Sequence, residues 1–389
     1  MKLKLLSLGL IAAALAAAPA FAADPPLPPG GAAVLTWTLE QQKFGYRNME
    51  KINPVNVVKR GEHVRDLPAG QPIDPKWSYG GKDWDVARYM DAMRTSGILI
   101  LKDGKVVLER YGLDRGPTDR WTSFSVAKSV TAILAGAALK DGYIKSLDDP
   151  VSTYVPEMKG GSYDQVSVRQ LITMTSGVKW NEDYTDPNSD VAKVGFKVEE
   201  PGVNPVVSYM RKLPRESAPG EKFVYKTGET DLAGIVISKA VGKPLSQYLS
   251  EKVWVPYGME QDAVWMVDVA GHERGGCCMS MTLRDYARIG QFMLEDGVAN
   301  GQRVLPEGYM ADASALHVKF DQGLYTGYGY FLWLVEGGYE AAGIFGQNII
   351  VYPGEGLVIA INSAWPSADA DDMWAAQEAF AKAVRASVK

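Results

Sequence analysis

The chain has 389 residues, 46% hydrophobic and 22% charged, and its 41 basic and 46 acidic side chains leave a net charge of −5. That length supports a large core in one large or two interleaved domains, while the mild acidity argues against a nucleic-acid protein, whose affinity rests on a basic surface. Two cysteines exclude a disulfide-stapled scaffold and any four-cysteine metal site. Three scattered histidines, His63, His272 and His317, form no His-Glu-x-x-His pattern and give a Ser-His-Asp hydrolase few candidates for its base. No metal and no cofactor is expected.

Lys2 and Lys4 precede an apolar run from Leu5 to Ala18, and Ala20-Phe21-Ala22 places small residues where a signal peptidase reads. A secretory signal over residues 1–22, cleaved near Ala22, is expected, since the run is too short and Ala-rich for a good spanning helix. Its removal takes two lysines and no acid, moving the net charge from −5 to −7. No later segment is long and apolar enough to cross a membrane, so the product is expected to be exported, most simply to a periplasm. Adjacent Cys277 and Cys278 are read as two small buried thiols, because a bridge between neighbours is strained.

Residues 23–80 mix Pro, Gly and polar residues without a sustained period and read as an extended lead-in to a domain over 81–389. Gly97–Leu101, Asp103-Gly104 and Val106–Leu108 spell a tight hairpin. Ser125 to Leu139 is small and apolar throughout and stops before Gly142, which predicts a helix buried on most sides. Further helices are expected after the capping-box spacing of Ser167 and Gln170, from Thr230 to Val241, from Pro244, and from Leu283 to Leu294 behind Thr282. Strands follow at Tyr328–Val335, Tyr339–Phe345, Ile349–Tyr352 and Leu357–Asn362, then a helix from about Ala368 to Val388. The order predicts an α+β fold. Strands from 97–112 and 327–363 share one antiparallel sheet flanked by helices, and a mostly helical lobe occupies about 140–300.

No Gly-x-Ser-x-Gly elbow occurs, which removes the main signal of an α/β-hydrolase. Ser-x-x-Lys occurs twice, at Ser125–Lys128 and Ser176–Lys179, where on the order of one copy is expected by chance. Ser125 opens the buried helix, where free N–H groups favour developing negative charge. Lys128 sits one turn on, in surroundings that disfavour its charged form. The second copy contains Gly177 and reads as a turn. A tyrosine is the usual third member of such a set. Of the three tyrosines in Tyr-x-[Asn/Ser/Thr], Tyr46 lies in the lead-in and Tyr248 in a helical pattern. Tyr225 lies on a loop before the Thr230 helix, where catalytic groups concentrate.

Phe124–Ser129, Leu147–Val151 and Arg169–Gly177 resemble the serine hydrolases of the class C β-lactamase and D-alanyl-D-alanine carboxypeptidase superfamily. Asn181–Tyr184, Gly275–Cys278, Thr282–Arg288 and Gly343–Gln347 are closer to its 6-aminohexanoate-dimer hydrolase branch. The resemblance runs from about Leu35 to the C-terminal helix, and its first and last blocks are the specific ones. It implies a β-lactamase/penicillin-binding-protein-like transpeptidase fold. It also implies that Ser125 is the acylated nucleophile, that Lys128 and Tyr225 share its proton, and that the backbone N–H groups of Ser125 and Ile344 form the oxyanion hole. Tyr184 matches a tyrosine that closes over the substrate in the amide-cleaving branch; Glu182, two residues before it, and Gly343, beside Ile344, are expected at the substrate, and Trp180 is read as a cleft residue only from its place before that segment.

Two departures bear on the substrate. Family β-lactamases and carboxypeptidases carry Lys-Thr-Gly on the edge strand, whose cation holds a carboxylate, whereas this chain has Ala341-Ala342-Gly343. A literal Lys226-Thr227-Gly228 follows Tyr225 instead and reads as coincidence, and Thr227 stands where the drug-hydrolysing branch usually has Asn. The expected activity is hydrolysis of small amide or ester bonds through an acyl-enzyme. An esterase, a β-lactamase or carboxypeptidase, and a catalytically silent cell-wall-binding homologue are the alternatives. The expected partner is a small-molecule amide or ester, and the oligomeric state is open.

Overall fold

A computed structural model describes residues 25–321 and 323–388, so the secretory-signal reading of residues 1–22 lies outside the described residues. Strands β1 (Thr95–Lys102) and β2 (Lys105–Tyr111) form the anticipated hairpin. They are joined through Asp103 at φ 51° and Gly104 at φ 74°, a tight turn that needs two left-handed residues. The C-terminal part supplies β3 (Val318–Lys319), β4 (Gly327–Tyr328), β5 (Trp333–Val335), β6 (Gly338–Gly343), β7 (Gln347–Tyr352) and β8 (Leu357–Ser363). All eight join one antiparallel sheet in the order β3-β4-β5-β6-β7-β8-β1-β2. The strand expected over Tyr328–Val335 is two short strands, because the chain reverses at Phe331, φ 51°.

Both faces of the sheet are covered, which explains the continuous apolar runs. Leu99 and Leu101 face one core and Ile98 and Ile100 the other, since successive side chains of a strand point to opposite faces. Each such side chain, fully buried, contributes roughly 1.5–3 kcal/mol. Four helices frame the sheet: α1 (Val126–Lys140), α2 (Thr227–Val241), α3 (Leu283–Leu294) and α4 (Asp371–Ser387). Helix α1 packs on α2 and against β6, α3 lies across β7, β8 and β1, and α4 buries Phe380 and Val384 in the opposite core. Thr282 caps α3 and Ser167 closes its capping box as anticipated. Helix α2 begins three residues earlier than the Thr230 start read from the sequence, so Tyr225 lies immediately before its cap, Lys226.

The lead-in is not extended. It holds short helices at Leu39–Gly45 and Met49–Ile52, and it buries Trp37, Tyr46 and Met49. Its strand Val55–Val58 pairs with Ala263–Met266, the edge of a second sheet continuing through Met279–Met281 to Trp121–Thr122. These contacts join residues far apart in sequence, and no local period records them. Among the described residues no helix is long and apolar enough to cross a membrane.

Candidate active site

The second sheet delivers the chain to the start of α1. Ser123 N–H donates to Met279 O at 2.6 Å, and the Ser123 hydroxyl accepts from Met279 N–H at 3.0 Å. Phe124 then takes φ 42°, a left-handed conformation costly for a bulky residue. Edge contacts with Tyr46 and Phe345, ring centres 5.2 and 5.3 Å away, hold it there. Ser125 follows as the N-cap residue of α1, 9% exposed.

Lys128, one turn along, is 2% exposed. Its Nζ lies 3.0 Å from Ser125 Oγ, 2.9 Å from Thr227 Oγ1 and 2.8 Å from the Gly276 carbonyl oxygen. Burial lowers its pKa from 10.5 to about 8, against the opposing pull of the Glu182 and Asp231 carboxylates. Its Nζ sits 5.1 Å from the centre of the Tyr225 ring. The Tyr225 phenol shares a cavity wall with Ser125, and burial raises its pKa above the ordinary tyrosine value. Trp333 stacks on that ring at 5.5 Å. Ser125 and Lys128, from one motif, and Tyr225, from a second 97 residues on, are therefore brought together.

Thr227 and Gly276 were not assigned roles from sequence. The Thr227 hydroxyl accepts from Lys128 and donates to Glu182, and its N–H donates to the same carboxylate at 2.9 Å. The Gly276 N–H donates to Asp231 at 2.8 Å, and Asp231 is paired with buried Arg274 at 2.8 Å. Thr131 donates to Gly275 O at 2.8 Å. The Gly275–Gly276 peptide, which immediately precedes the carbonyl facing Lys128, is thus fixed from both sides, and the Gly275-Gly276 pair is its visible signal in the sequence. The adjoining turn, with Cys278 at φ 72°, brings the sulfurs of Cys277 and Cys278 together. They form a disulfide, not the two free thiols expected from sequence.

Glu182 also accepts from Tyr184 Oη–H at 2.9 Å and from the indole N–H of Trp180. Tyr184, Glu182 and Gly343 line a cavity of about 1040 Å³ that opens on Ser125, Tyr225 and Ile344. Trp180 does not line it, contrary to the substrate-binding reading. Its ring is packed over Gly228 of α2, where it supports Glu182 from beneath. A side chain at Gly343 would bring a Cβ to 2.6 Å from Ser123 O and 3.1 Å from Ser125 N, so glycine lets β6 close on the start of α1. Neither the Ser125 nor the Ile344 N–H donates a backbone hydrogen bond among the described residues.

Lys226 does not reach the site. It is fully buried beside Glu229, 3.4 Å away, and the pair lies under Tyr163 and Ser176. The literal Lys-Thr-Gly is therefore no edge-strand cation, and Ser176 is spent on Glu229. None of the three histidines lines the cavity. Among the described residues no group of three His, Cys, Asp or Glu side chains is placed to hold a metal.

Residues 85–382 match the family model described as Beta-lactamase. The chain belongs to the Beta-lactamase family. It is 31% identical over 302 residues to the 6-aminohexanoate-dimer hydrolase of Paenarthrobacter ureafaciens, covering 73% of this chain and 76% of that protein. It is 27% identical over 170 residues to a beta-lactamase of Pseudomonas fluorescens, covering 42% and 44%. A Bacillus anthracis protein proposed to be a 6-aminohexanoate-dimer hydrolase superposes with a TM-score of 0.78 at 22% identity, over 91% of this chain and 97% of its own. That likeness establishes the β-lactamase/penicillin-binding-protein fold. The family match begins at residue 85, so the segment that buries Trp37, Tyr46 and Met49 precedes it.

Proposed function

We propose that this family member is an exported serine hydrolase that cleaves small amide or ester bonds through a Ser125 acyl-enzyme. The observation that carries the reading is the buried amine of Lys128, 3.0 Å from Ser125 Oγ. A neutral Lys128 donates to Gly276 O and Thr227 Oγ1 and presents its lone pair to the Ser125 hydroxyl. As Oγ bonds to the substrate carbonyl carbon, its proton passes to Lys128. The oxyanion lies between the N–H groups of Ser125 and Ile344, each typically worth about 2.7–4 kcal/mol to the transition state. Tyr225, held protonated by its burial, gives its proton to the leaving nitrogen or oxygen and recovers one from Lys128. Water then hydrolyses the ester, with the same groups working in reverse.

The first residue of the edge-strand triad is buried Ala341, and the main cavity is lined by Glu182, Asp183, Asp369, Asp371 and Glu378 without a lysine or arginine among its described residues. That lining disfavours a carboxylate-bearing β-lactam and suits a neutral or cationic linear substrate. A fluorophosphonate is expected to label the wild-type protein and not Ser125→Ala; labelling that survives the substitution refutes the nucleophile. Side-by-side turnover of a linear amide, a p-nitrophenyl ester and nitrocefin orders the substrate classes, with nitrocefin expected last.

A further inference from the structure

A second cavity, of about 600 Å³, meets the first at Ser125, Tyr184 and Ile344. Its walls include Val34, Leu35 and Met49 from the segment before the family match, and Val191, Phe196 and Met266 from the helical lobe and second sheet. The charged groups at this cavity are already committed. Arg274 is held by Asp231 through Nε at 3.0 Å and Nη2 at 2.8 Å and lies 4.9 Å from the Phe196 ring. Asp186 accepts from Asn188 N–H at 2.8 Å. Phe196, 45% exposed, adds its ring to this apolar wall.

The two cavities share Ser125 but differ in much of their lining. Tyr225 lines the acidic one and not the apolar one, so a leaving group that takes its proton from Tyr225 departs into the acidic cavity. The other half of the substrate is then directed to the apolar side. We infer that the N-terminal segment completes an acyl-binding subsite, in which an uncharged aliphatic or aromatic acyl chain lies against Val34, Leu35, Met49 and Phe196. This inference rests on the Ser125 acyl-enzyme reading and adds the identity of the acyl half.

The test is a series of p-nitrophenyl esters from acetate to hexanoate, in which only the acyl chain changes. kcat/KM is expected to rise roughly fourfold per methylene, on the order of a hundredfold across the series. Ala32 is exposed at the mouth of the apolar cavity. Ala32→Trp, which narrows the entrance without altering the core, is expected to cut the hexanoate-to-acetate ratio at least tenfold, and Ala32→Ser to leave that ratio near wild type. A ratio internal to each variant is insensitive to partial misfolding. Ser125-dependent turnover that is flat from acetate to hexanoate, or a ratio untouched by Ala32→Trp, overturns the subsite and leaves the nucleophile standing. Turnover that persists in Ser125→Ala overturns the acyl-enzyme reading itself.

Discussion

Acylation should follow the deprotonation of Lys128, and its pH profile examines the mechanism at one atom. Burial lowers the pKa of this lysine from 10.5 to about 8. At pH 7 about one molecule in ten then carries a neutral amine, against about one in three thousand at the ordinary value, a gain of roughly 300-fold in competent enzyme. The rate of fluorophosphonate labelling isolates acylation from deacylation and should climb through a limb centred near pH 8. Glu182 is the largest influence that holds the pKa up. Glu182→Gln removes that charge; its single amide oxygen can still accept from the Thr227 and Tyr184 hydroxyls, while the bonds from Thr227 N–H and the Trp180 indole are lost, so the limb should move to lower pH whatever happens to the plateau rate. A wild-type limb at pH 10 or above, or an upward shift in Glu182→Gln, would refute the assignment of Lys128 as the base.

Other expectations are independent of that profile. Tyr225→Phe should slow a linear anilide by roughly 10²–10⁴-fold and a p-nitrophenyl ester less, because the nitrophenolate leaves without a proton; equal losses on both substrates would remove Tyr225 as the acid. Gly343→Ala should separate β6 from the start of α1, lowering Tm and cutting acylation of the still-folded protein by roughly 10²–10³-fold; near-normal acylation would contradict an oxyanion hole at this junction. Glu340, bonded by Tyr325 at 2.8 Å, has its pKa raised by burial from 4.5 to about 7. The folded protein therefore holds a proton that the unfolded chain releases, and stability falls as pH rises from 4.5 through about 7, by on the order of 3 kcal/mol. Urea unfolding at pH 5 and pH 8.5 should show that loss in the wild type and not in Glu340→Gln. N-terminal sequencing of exported protein should begin at Ala23; an intact Met1 would refute cleavage.

The elements legible in the sequence were those with local signals. The Asp103-Gly104 turn, the caps at Ser167 and Thr282, and the apolar run after Ser125 each sit where their residues indicated. Ser125 and Lys128 share one short motif and Tyr225 belongs to another, and local spacing is what makes each visible. The partners that tune them lie on remote segments: Lys128 and Thr227 are 99 residues apart and Lys128 and Gly276 are 148 apart. A backbone carbonyl also leaves no mark on residue identity. The lead-in was misread because its buried residues, Trp37, Tyr46 and Met49, pack against distant elements and impose no period of their own. Trp180 was placed in the cleft by its neighbourhood to Tyr184, whereas its indole turns inward to Glu182.

The position of β8 beside β1 bears on when this molecule can fold. Ile359 registers with Ile100, 259 positions apart (359 − 100), across the middle of the central sheet. The hairpin at 95–111 is synthesised well before its partner strand at Leu357–Ser363. Closing so long a loop must precede the reward of pairing, which makes folding slow and places it after β8 has been made. Under the export proposed above, that delay has a use: the central sheet cannot lock before β8 has emerged, so the chain stays threadable until then.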